Sequence, residues 1–542
     1  MKSVTLIALN AKYCHTSLAV RSIGAACRQQ GIPTEILERT VNEPFRQLMG
    51  AVLQCQSDVY AFSCYLWNIS LVKQICTDLK QMKPDCEILL GGPEVSYDPK
   101  EYPFADVVVC GEGELSVPAY LLGQVRGPVI RGIPVAPLDR LTFCYSQEDL
   151  EQNKNRLIYY ESSRGCPFSC SYCLSSVEQG VRFMSVERVC RDLKQFDQAG
   201  VALVKFVDRT FNADRKRALA IWKFAAEQCS HTSFHFELAG ELLTEEELSF
   251  LATVPKGKFQ FEIGVQSTNP ATLEAVDRKG DQARLFDRIR RLMKAGNIHV
   301  HTDLIVGMPY ETYERFQQSF NDVYALQSDC LQVGFLKLLK GSKIRREAEK
   351  WDYRYSREAP YEIYDNQFMS YDQVARLEKI AETVERYYNS GAFARSVAYA
   401  LTRFSSPFAF YEAFSKEFDG RGAIAQKKLY EILYRFYTGL FGEDPLLTQW
   451  MRFDWLYHTG GAPVPDYLGD YQTLQPLLFR LLETPGFCEI YLPQYVSLKR
   501  KEIVKKVFLA EFYLPRQVYV LFCGETIFDV TKECLKIVHS SD

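Results

Sequence analysis

No apolar stretch of this 542-residue chain approaches the roughly 20 residues needed to cross a membrane. The opening, MKSVTLIALNAKYC, holds only a short apolar run with no small-residue cleavage pattern, so it reads as a first strand and not as an export signal. An excess of one charge is missing too: 64 Lys and Arg face 67 Asp and Glu, for a formal net charge of -3. That balance gives no global sign of a nucleic-acid partner. The 17 cysteines are odd in number and sit in apolar segments, as at Cys64, Cys86, Cys110 and Cys330, which argues against a disulfide framework and for reduced thiols in a cytoplasmic protein. The first loop lacks a G-x-G-x-x-G, which makes a dinucleotide a poor ligand for the first domain. At this length one hydrophobic core is excluded, and three or four domains are expected.

Against that background one stretch stands out. Arg164-Gly165-Cys166-Pro167-Phe168-Ser169-Cys170-Ser171-Tyr172-Cys173 brings three soft thiolates into one tight loop with no fourth cysteine nearby. Soft thiolates select iron-sulfur clusters or zinc. A zinc site needs a fourth ligand, and the nearest downstream histidines, His231 and His235, are far off in sequence. A 4Fe-4S cube would instead keep one iron open.

Residues 1–125 alternate β-branched runs with helical patterns: strands over 4–9, 34–37, 59–62, 87–90 and 106–110, and helices over 18–29, 45–54 and 70–82. This argues for βαβ units in an open parallel sheet, whose ligands sit outside the carboxyl ends of the strands. The loops there carry Asn10, Tyr13, Ser17, Ser63, Tyr65, Trp67, the run Gly91-Gly92-Pro93-Glu94, and Gly111-Glu112. Glycine pairs let a backbone approach a bulky ligand, and small polar side chains suit its rim. A domain that packs on its neighbour and binds nothing is the alternative. Residues 126–155 are rich in Gly and Pro and are expected to be a linker.

From 156 to 350, six strand-helix alternations predict most of a βα barrel, with strands at 157–161, 203–207, 233–237, 259–265, 299–305 and 330–335. Chemistry in such barrels lies at the carboxyl ends of the strands. Residues 351–542 turn to aromatic-rich helices, with aromatics at core spacing, a stretch Trp455–Pro463 that could be a loop, and a terminal hairpin or small sheet over 507–522. The short basic run Lys499-Arg500-Lys501, Lys505, Lys506 reads as a solvated face.

The C-x3-C-x2-C spacing, with Tyr172 before the last cysteine, resembles the signature of the radical SAM superfamily. The Gly-Gly-Pro-Glu and Gly-Glu-Gly-Glu loops resemble the cobalamin-binding domain of its B12-dependent members, over most of residues 3 to 120. Residues 351–542 are similar to an uncharacterised domain that follows some of these proteins. The resemblance implies an α/β chain with a Rossmann-like cobalamin-binding domain, a partial (β/α)6 barrel and a mainly helical C-terminal domain. It implies a 4Fe-4S cluster on Cys166, Cys170 and Cys173, S-adenosylmethionine (SAM) on the open iron, and cobalamin over the loop residues given above. SAM contacts are implied for Tyr172, Asp208, Glu237 (or Glu241), Gln266, Arg278, Asp303 and Gly307, with Asp208 on the amino group, Arg278 on the carboxylate and Asp303 on the ribose. No Asp-x-His-x-x-Gly occurs, so no motif histidine lies below the cobalt, and His15 is expected to be a hydrogen-bonding loop residue. The implied activity is reductive cleavage of SAM to a 5'-deoxyadenosyl radical and methylation of an unactivated carbon in a small molecule or peptide, driven by a low-potential flavodoxin or ferredoxin. Radical rearrangement or RNA-base modification without methyl transfer, and a non-catalytic cluster and corrin sensor, remain the alternatives.

Overall fold

The computed structural model describes residues 2–177, 180–418, 422–469 and 474–539, and the chain divides into two compact units, Met1–Val374 and Ala375–Asp542. The first unit contains two parallel sheets of six strands each.

The first sheet comprises β1 (Val4–Asn10), β2 (Thr34–Thr40), β3 (Val59–Ser63), β4 (Glu87–Gly91), β5 (Val107–Cys110) and β6 (Val129–Arg131) in the order β2-β1-β3-β4-β5-β6. Every residue of β1 is buried, as expected for a parallel strand covered on both faces. One face packs Ile7, Tyr60, Phe62, Ile88 and Leu90 against the helices Phe45–Gln54 and Ile69–Met82. The other packs Leu6, Ala61 and Leu89 around the helix Leu18–Gln29. The strand order reverses between β1 and β3, and that switch opens a crevice beyond Asn10 and Ser63, where ligands of such sheets bind. The stretch expected as a linker contributes β6, which pairs with β5, and the helix Gln147–Asn153, capped by Ser146. A three-residue edge strand among glycines and prolines is too short to leave a periodic signal.

The second sheet runs in sequence order: β7 (Ile158–Tyr160), β10 (Leu203–Phe206), β11 (Ser233–Leu238), β12 (Phe259–Gln266), β13 (His299–Val306) and β14 (Cys330–Phe335). The order has β7 and β14 at its two edges, so the barrel is partial. A two-residue antiparallel pair, β8 (Ser163–Arg164) and β9 (Arg182–Phe183), closes the base of the cysteine loop. Alternation along β12 explains the layering. Phe259, Phe261 and Ile263 are fully buried, in an aromatic layer that reaches Trp222 of the helix Arg215–Gln228, whose ring lies 5.7 Å from Phe261. The intervening Glu262, Gly264 and Gln266 face a cavity. Residues 351–374, grouped by sequence with the C-terminal domain, belong to the first unit and form β15 (Arg354–Tyr355) and β16 (Ile363–Asp365).

The second unit is a helical array with an aromatic core, including Tyr387, Phe393, Phe414 and Tyr430. Of the stretch Trp455–Pro463, expected as a possible loop, Trp455–Thr459 is the last turn of the helix Pro445–Thr459, and the chain leaves the helix at Gly460 in the left-handed conformation (φ 65°), so only 460–463 are non-helical. Three antiparallel strands, β17 (Val507–Tyr513), β18 (Gln517–Cys523) and β19 (Thr526–Asp529), complete this unit with the helix Thr531–His539. The basic side chains from Lys499 to Lys506 are exposed.

Candidate active site

The chain leaves β7 and enters the cysteine loop through a turn that only glycine permits: Gly165 has φ 98°, and a Cβ there would lie 2.1 Å from the Gly180 carbonyl oxygen. The loop is then fixed by its own polar groups. Ser176 Oγ donates to the carbonyls of Cys170 (2.9 Å) and Cys173 (2.6 Å), and Ser171 N donates to Val276 O at 2.9 Å. Cys166, Cys170 and Cys173 line one cavity of about 190 Å³ together with Tyr172, Thr210, Glu237, Gln266, Arg278 and Asp303. Thr210 Oγ1 lies 3.3 Å from Cys166 Sγ, and Arg278 Nη1 lies 4.0 Å from Cys170 Sγ. Burial pushes the Cys170 thiol up, and Arg278 opposes it.

Among the described residues no three His, Cys, Asp or Glu side chains converge on a point that would hold a single ion, and neither His231 nor His235 lines the cavity. A closed zinc site gathers four ligands at about 2.0–2.3 Å. A cube takes each thiolate on a different iron, so three thiols spread over one cavity wall fit the cluster.

The strand tips supply the remaining walls. Glu237, at the end of β11, is pushed up to about 7 by burial. Asp303 of β13 accepts from Val265 N (2.8 Å) and from Gln266 Nε2 (3.1 Å), and burial raises its carboxyl to about 6, with Arg278 opposing. Gln266 sits at an irregularity of β12 with φ 71°, a conformation that costs free energy and clusters at functional sites. Its Oε1 is buried with no hydrogen-bond partner, an acceptor left for a ligand hydroxyl. Arg278 Nη2 donates to Gly264 O.

Two of the residues with implied SAM contacts do not line this cavity. Asp208 is fully buried behind the cysteine loop, where it accepts from Ser162 N (2.7 Å), Ser162 Oγ (2.6 Å) and Ser163 Oγ (2.8 Å). Arg209 and Thr210 line the cavity in its place. Gly307 does not line it either: its carbonyl accepts from Tyr353 Oη and Asn366 Nδ2, each at 2.8 Å. Glu241 is likewise outside, whereas Glu262, which sequence reasoning missed, is inside. Its parity with Gly264 and Gln266 on β12 was the available signal. His235 Nε2 (3.3 Å) and Lys205 Nζ (3.0 Å) hold Glu262 down to about 2. The His235 nitrogen finds no well-directed hydrogen bond, so the ammonium is the stronger partner.

These carboxyls set a pH dependence. A cationic ligand favours ionised Glu237 and Asp303, so SAM affinity should be constant above pH 8 and weaken as pH falls through 7 and then 6, approaching tenfold per unit once a required carboxylate protonates. Equilibrium binding of SAM between pH 5.5 and 8.5 measures this, and a flat profile would exclude both groups from the contact.

The first-sheet loops divide by exposure. Tyr13 is 78 % and Trp67 46 % exposed, and Trp67 stacks on Tyr65 with ring centroids 4.3 Å apart. Ser63 Oγ donates to Ile7 O at 3.3 Å. Asn10 and Ser17 are buried, both bonded to Glu38. Gly91 ends β4. Gly92 has φ 114°, and a Cβ there would meet Cys64 O at 2.5 Å. Pro93 opens the one-turn helix that carries Glu94, which is buried beside Lys340 (3.3 Å) and Tyr361. Gly111 has φ 102°. Glu112 is engaged by Arg164 (2.8 Å), Arg182 and Val135 N (2.6 Å). His15 Nδ1 lies 2.5 Å from Tyr159 Oη, which makes it a loop hydrogen-bonding residue. A stacked aromatic pair, exposed at Trp67 and half-buried at Tyr65, beside glycine-lined strand ends at the switch of a doubly wound sheet fits a flat macrocycle.

Residues 4–121 match the family described as the B12 binding domain, and residues 160–323 match the radical SAM superfamily. The chain carries a B12-binding domain followed by a radical SAM domain. Residues 349–519 match a protein of unknown function, DUF4080. The radical SAM match covers the cysteine loop and the strands through β13, and it implies a 4Fe-4S cluster and SAM, as the B12-binding match implies cobalamin. The chain is 25% identical over 306 residues to the 2-(S-pantetheinyl)-carbapenam-3-carboxylate methyltransferase of Streptantibioticus cattleyicolor, covering 49% of this chain and 44% of that one. It is 24% identical over 473 residues to the cobalamin-dependent radical SAM methyltransferase TokK of Streptomyces tokunonensis, covering 77% and 66%. The chain thus spans from less than half to about two thirds of these relatives. The cobalamin-dependent SAM radical enzyme OxsB, solved with aqua-cobalamin and SAM, shares the fold with a TM-score of 0.57 at 15% identity, covering 93% of this chain and 81% of OxsB. Among the described residues no helix is long and apolar enough to cross a membrane.

Proposed function

We propose that this radical SAM protein is a cobalamin-dependent methyltransferase acting on a carbon of a polar small molecule or peptide. The observation that carries the reading is that three thiols and four side chains suited to SAM, Glu237, Gln266, Arg278 and Asp303, line one cavity, while Arg164 at the start of the cysteine loop is ion-paired to Glu112 and Glu114 of a sheet whose open loops suit a corrin. When bound, the cluster and cobalamin supply reductive cleavage of SAM and a transferable methyl group. The protein's part is positional. The Arg278 fork suits the SAM carboxylate, Asp303 and Gln266 suit ribose hydroxyls, and Glu237 suits the ammonium, while the buried walls exclude water from a reactive radical.

The substrate's polarity is read from the barrel interior. Lys205 of β10 reaches Glu262 (3.0 Å) and Glu237 (4.0 Å), and His235 and His301 stand beside them with ring centroids 5.6 Å apart. An apolar lipid would strip water from these groups without replacing their partners. The electron donor is proposed to be a low-potential flavodoxin or ferredoxin, and the setting cytoplasmic.

Anaerobic reconstitution with iron, sulfide and hydroxocobalamin, followed by incubation of methyl-labelled SAM with cell extract, tests the reading. Label in a product other than SAM is expected. A protein that takes up a 4Fe-4S cluster but no cobalamin would sink methylation, and deoxyadenosine without methyl transfer would favour rearrangement or RNA-base modification. SAM left intact under dithionite would favour a sensor.

A further inference from the structure

Beyond β14 the chain makes a detour that touches both cofactor regions. Lys340 Nζ reaches Glu94 (3.3 Å), Tyr102 Oη (2.9 Å) and Glu101, and Tyr361 Oη donates to Glu94 Oε1. The two contacts to Glu94 fall on the loop Gly91–Glu94, over 240 residues earlier in the chain. Next to Lys340, Gly341 (φ 84°) presses so close to the Tyr97 ring that a Cβ would lie 2.3 Å from it. The same segment holds the SAM side. Ile344 N donates to Ser171 O (2.9 Å) inside the cysteine loop, and Lys343 Nζ is 2.6 Å from Asp277, the neighbour of Arg278. Tyr353 and Asn366 donate to the Gly307 carbonyl, and a Cβ on Gly307 would fall 1.8 Å from Ile363.

Tyr361 marks the centre of this segment. It is 4 % exposed and holds φ 59°, a left-handed conformation that a bulky residue keeps only where its surroundings impose it. They do so here: Arg345 lies 4.6 Å and Lys340 5.6 Å from its ring, and its hydroxyl is committed to Glu94. Glu94 is 5 % exposed, and its carboxylate is engaged by this segment.

We propose that Tyr361 and Lys340 are positioning residues that, through Glu94, fix the corrin-side loop Gly91–Glu94 against the cysteine loop at Ser171 and the turn at Gly307 that ends β13, the strand bearing Asp303, so that occupancy of either site strengthens binding at the other. This rests on the cofactor assignment proposed above. The segment has discrete polar joints at both ends, so a ligand that orders one end lowers the cost of ordering the other.

The test uses the full chain with its cluster reconstituted anaerobically. Hydroxocobalamin affinity is measured by equilibrium dialysis with and without saturating SAM, and SAM affinity with and without hydroxocobalamin. In the wild type each ligand is expected to tighten the other by the same factor, about 5-fold or more. Tyr361→Phe and Lys340→Met should bring both factors to about 1 while each ligand alone binds within about threefold of wild type. Asn366→Ala, cut at the SAM end, should do the same without touching the corrin side, so a folding defect in one variant leaves the other end to decide. Lys340→Arg should retain part of the coupling. A wild type that binds both ligands independently, or variants that keep the full factor, would overturn the inference. A wild type that fails to bind hydroxocobalamin or SAM at all overturns the cofactor assignment itself, and the coupling with it.

Discussion

Replacing Cys166, Cys170 or Cys173 by alanine is expected to bring 5'-deoxyadenosine formation from SAM down to chemical background, a loss of at least about 10³-fold or ~4 kcal/mol in the barrier. The size follows from the chemistry of the loop. Among the described residues its three thiols are the only sulfur side chains on the cavity wall, and the carboxylates that share the wall, Glu237, Glu262 and Asp303, are hard ligands that do not replace a soft thiolate. The variants should still bind hydroxocobalamin when SAM is absent, because the loops proposed to meet the corrin are built on the first sheet and its own two cores. What they should lose is the tightening that SAM gives. Iron and sulfide content, cobalamin uptake and deoxyadenosine release measured on one preparation separate these outcomes. If any single substitution removes cobalamin binding as completely as it removes SAM cleavage, the sites are not separable modules.

Most of the fold was legible because parallel strands buried on both faces write continuous apolar runs. Val4–Leu9 and Val59–Phe62 stand in the structure within a residue of where the sequence put them. The same reasoning failed for β6, whose three residues carry no period, and for Trp455–Thr459, where glycines just past a helix end resembled a loop. At the site, residue types were legible and directions were not. Asp208, Arg209 and Thr210 follow β10 in succession, and the alternation that would say which faces the cavity is lost once the strand ends. Asp208 therefore turns to Ser162 and Ser163, and its neighbours face the thiols. Glu94 is the clearest case of the remainder. A glutamate in a glycine-rich loop reads as a ligand, and nothing local shows that Lys340 and Tyr361 will meet it from so far along the chain.

A second large effect is expected at Arg164, two residues before the first thiol. Its guanidinium meets Glu112 (2.8 Å) and Glu114 (2.5 Å) from the first sheet's loop and Glu161 (2.8 Å) from the end of β7. These side chains are 13%, 9% and 24% exposed, and burial already pushes the Glu161 carboxyl up, with Arg164 opposing. Arg164→Met would leave largely buried carboxylates without their cation, a change that costs about 3–5 kcal/mol when a buried pair is broken. The lower end is expected, since Arg182 stays on Glu112 and Ser22 on Glu114 (3.0 Å). Urea unfolding of the first unit should therefore lose about 3 kcal/mol, and cluster content should fall with it because the cysteine loop begins at this residue. Arg164→Lys should fall between, as a point charge cannot fork to three carboxylates. The informative variant is the triple one: adding Glu112→Gln and Glu114→Gln to Arg164→Met removes two of the three stranded charges, leaving Glu161, and should recover a measurable part of the loss. Recovery would show that the penalty is electrostatic, and a triple variant no more stable than Arg164→Met would assign it to lost packing. An Arg164→Met protein within about 0.5 kcal/mol of wild type would mean that the three carboxylates never depended on this cation.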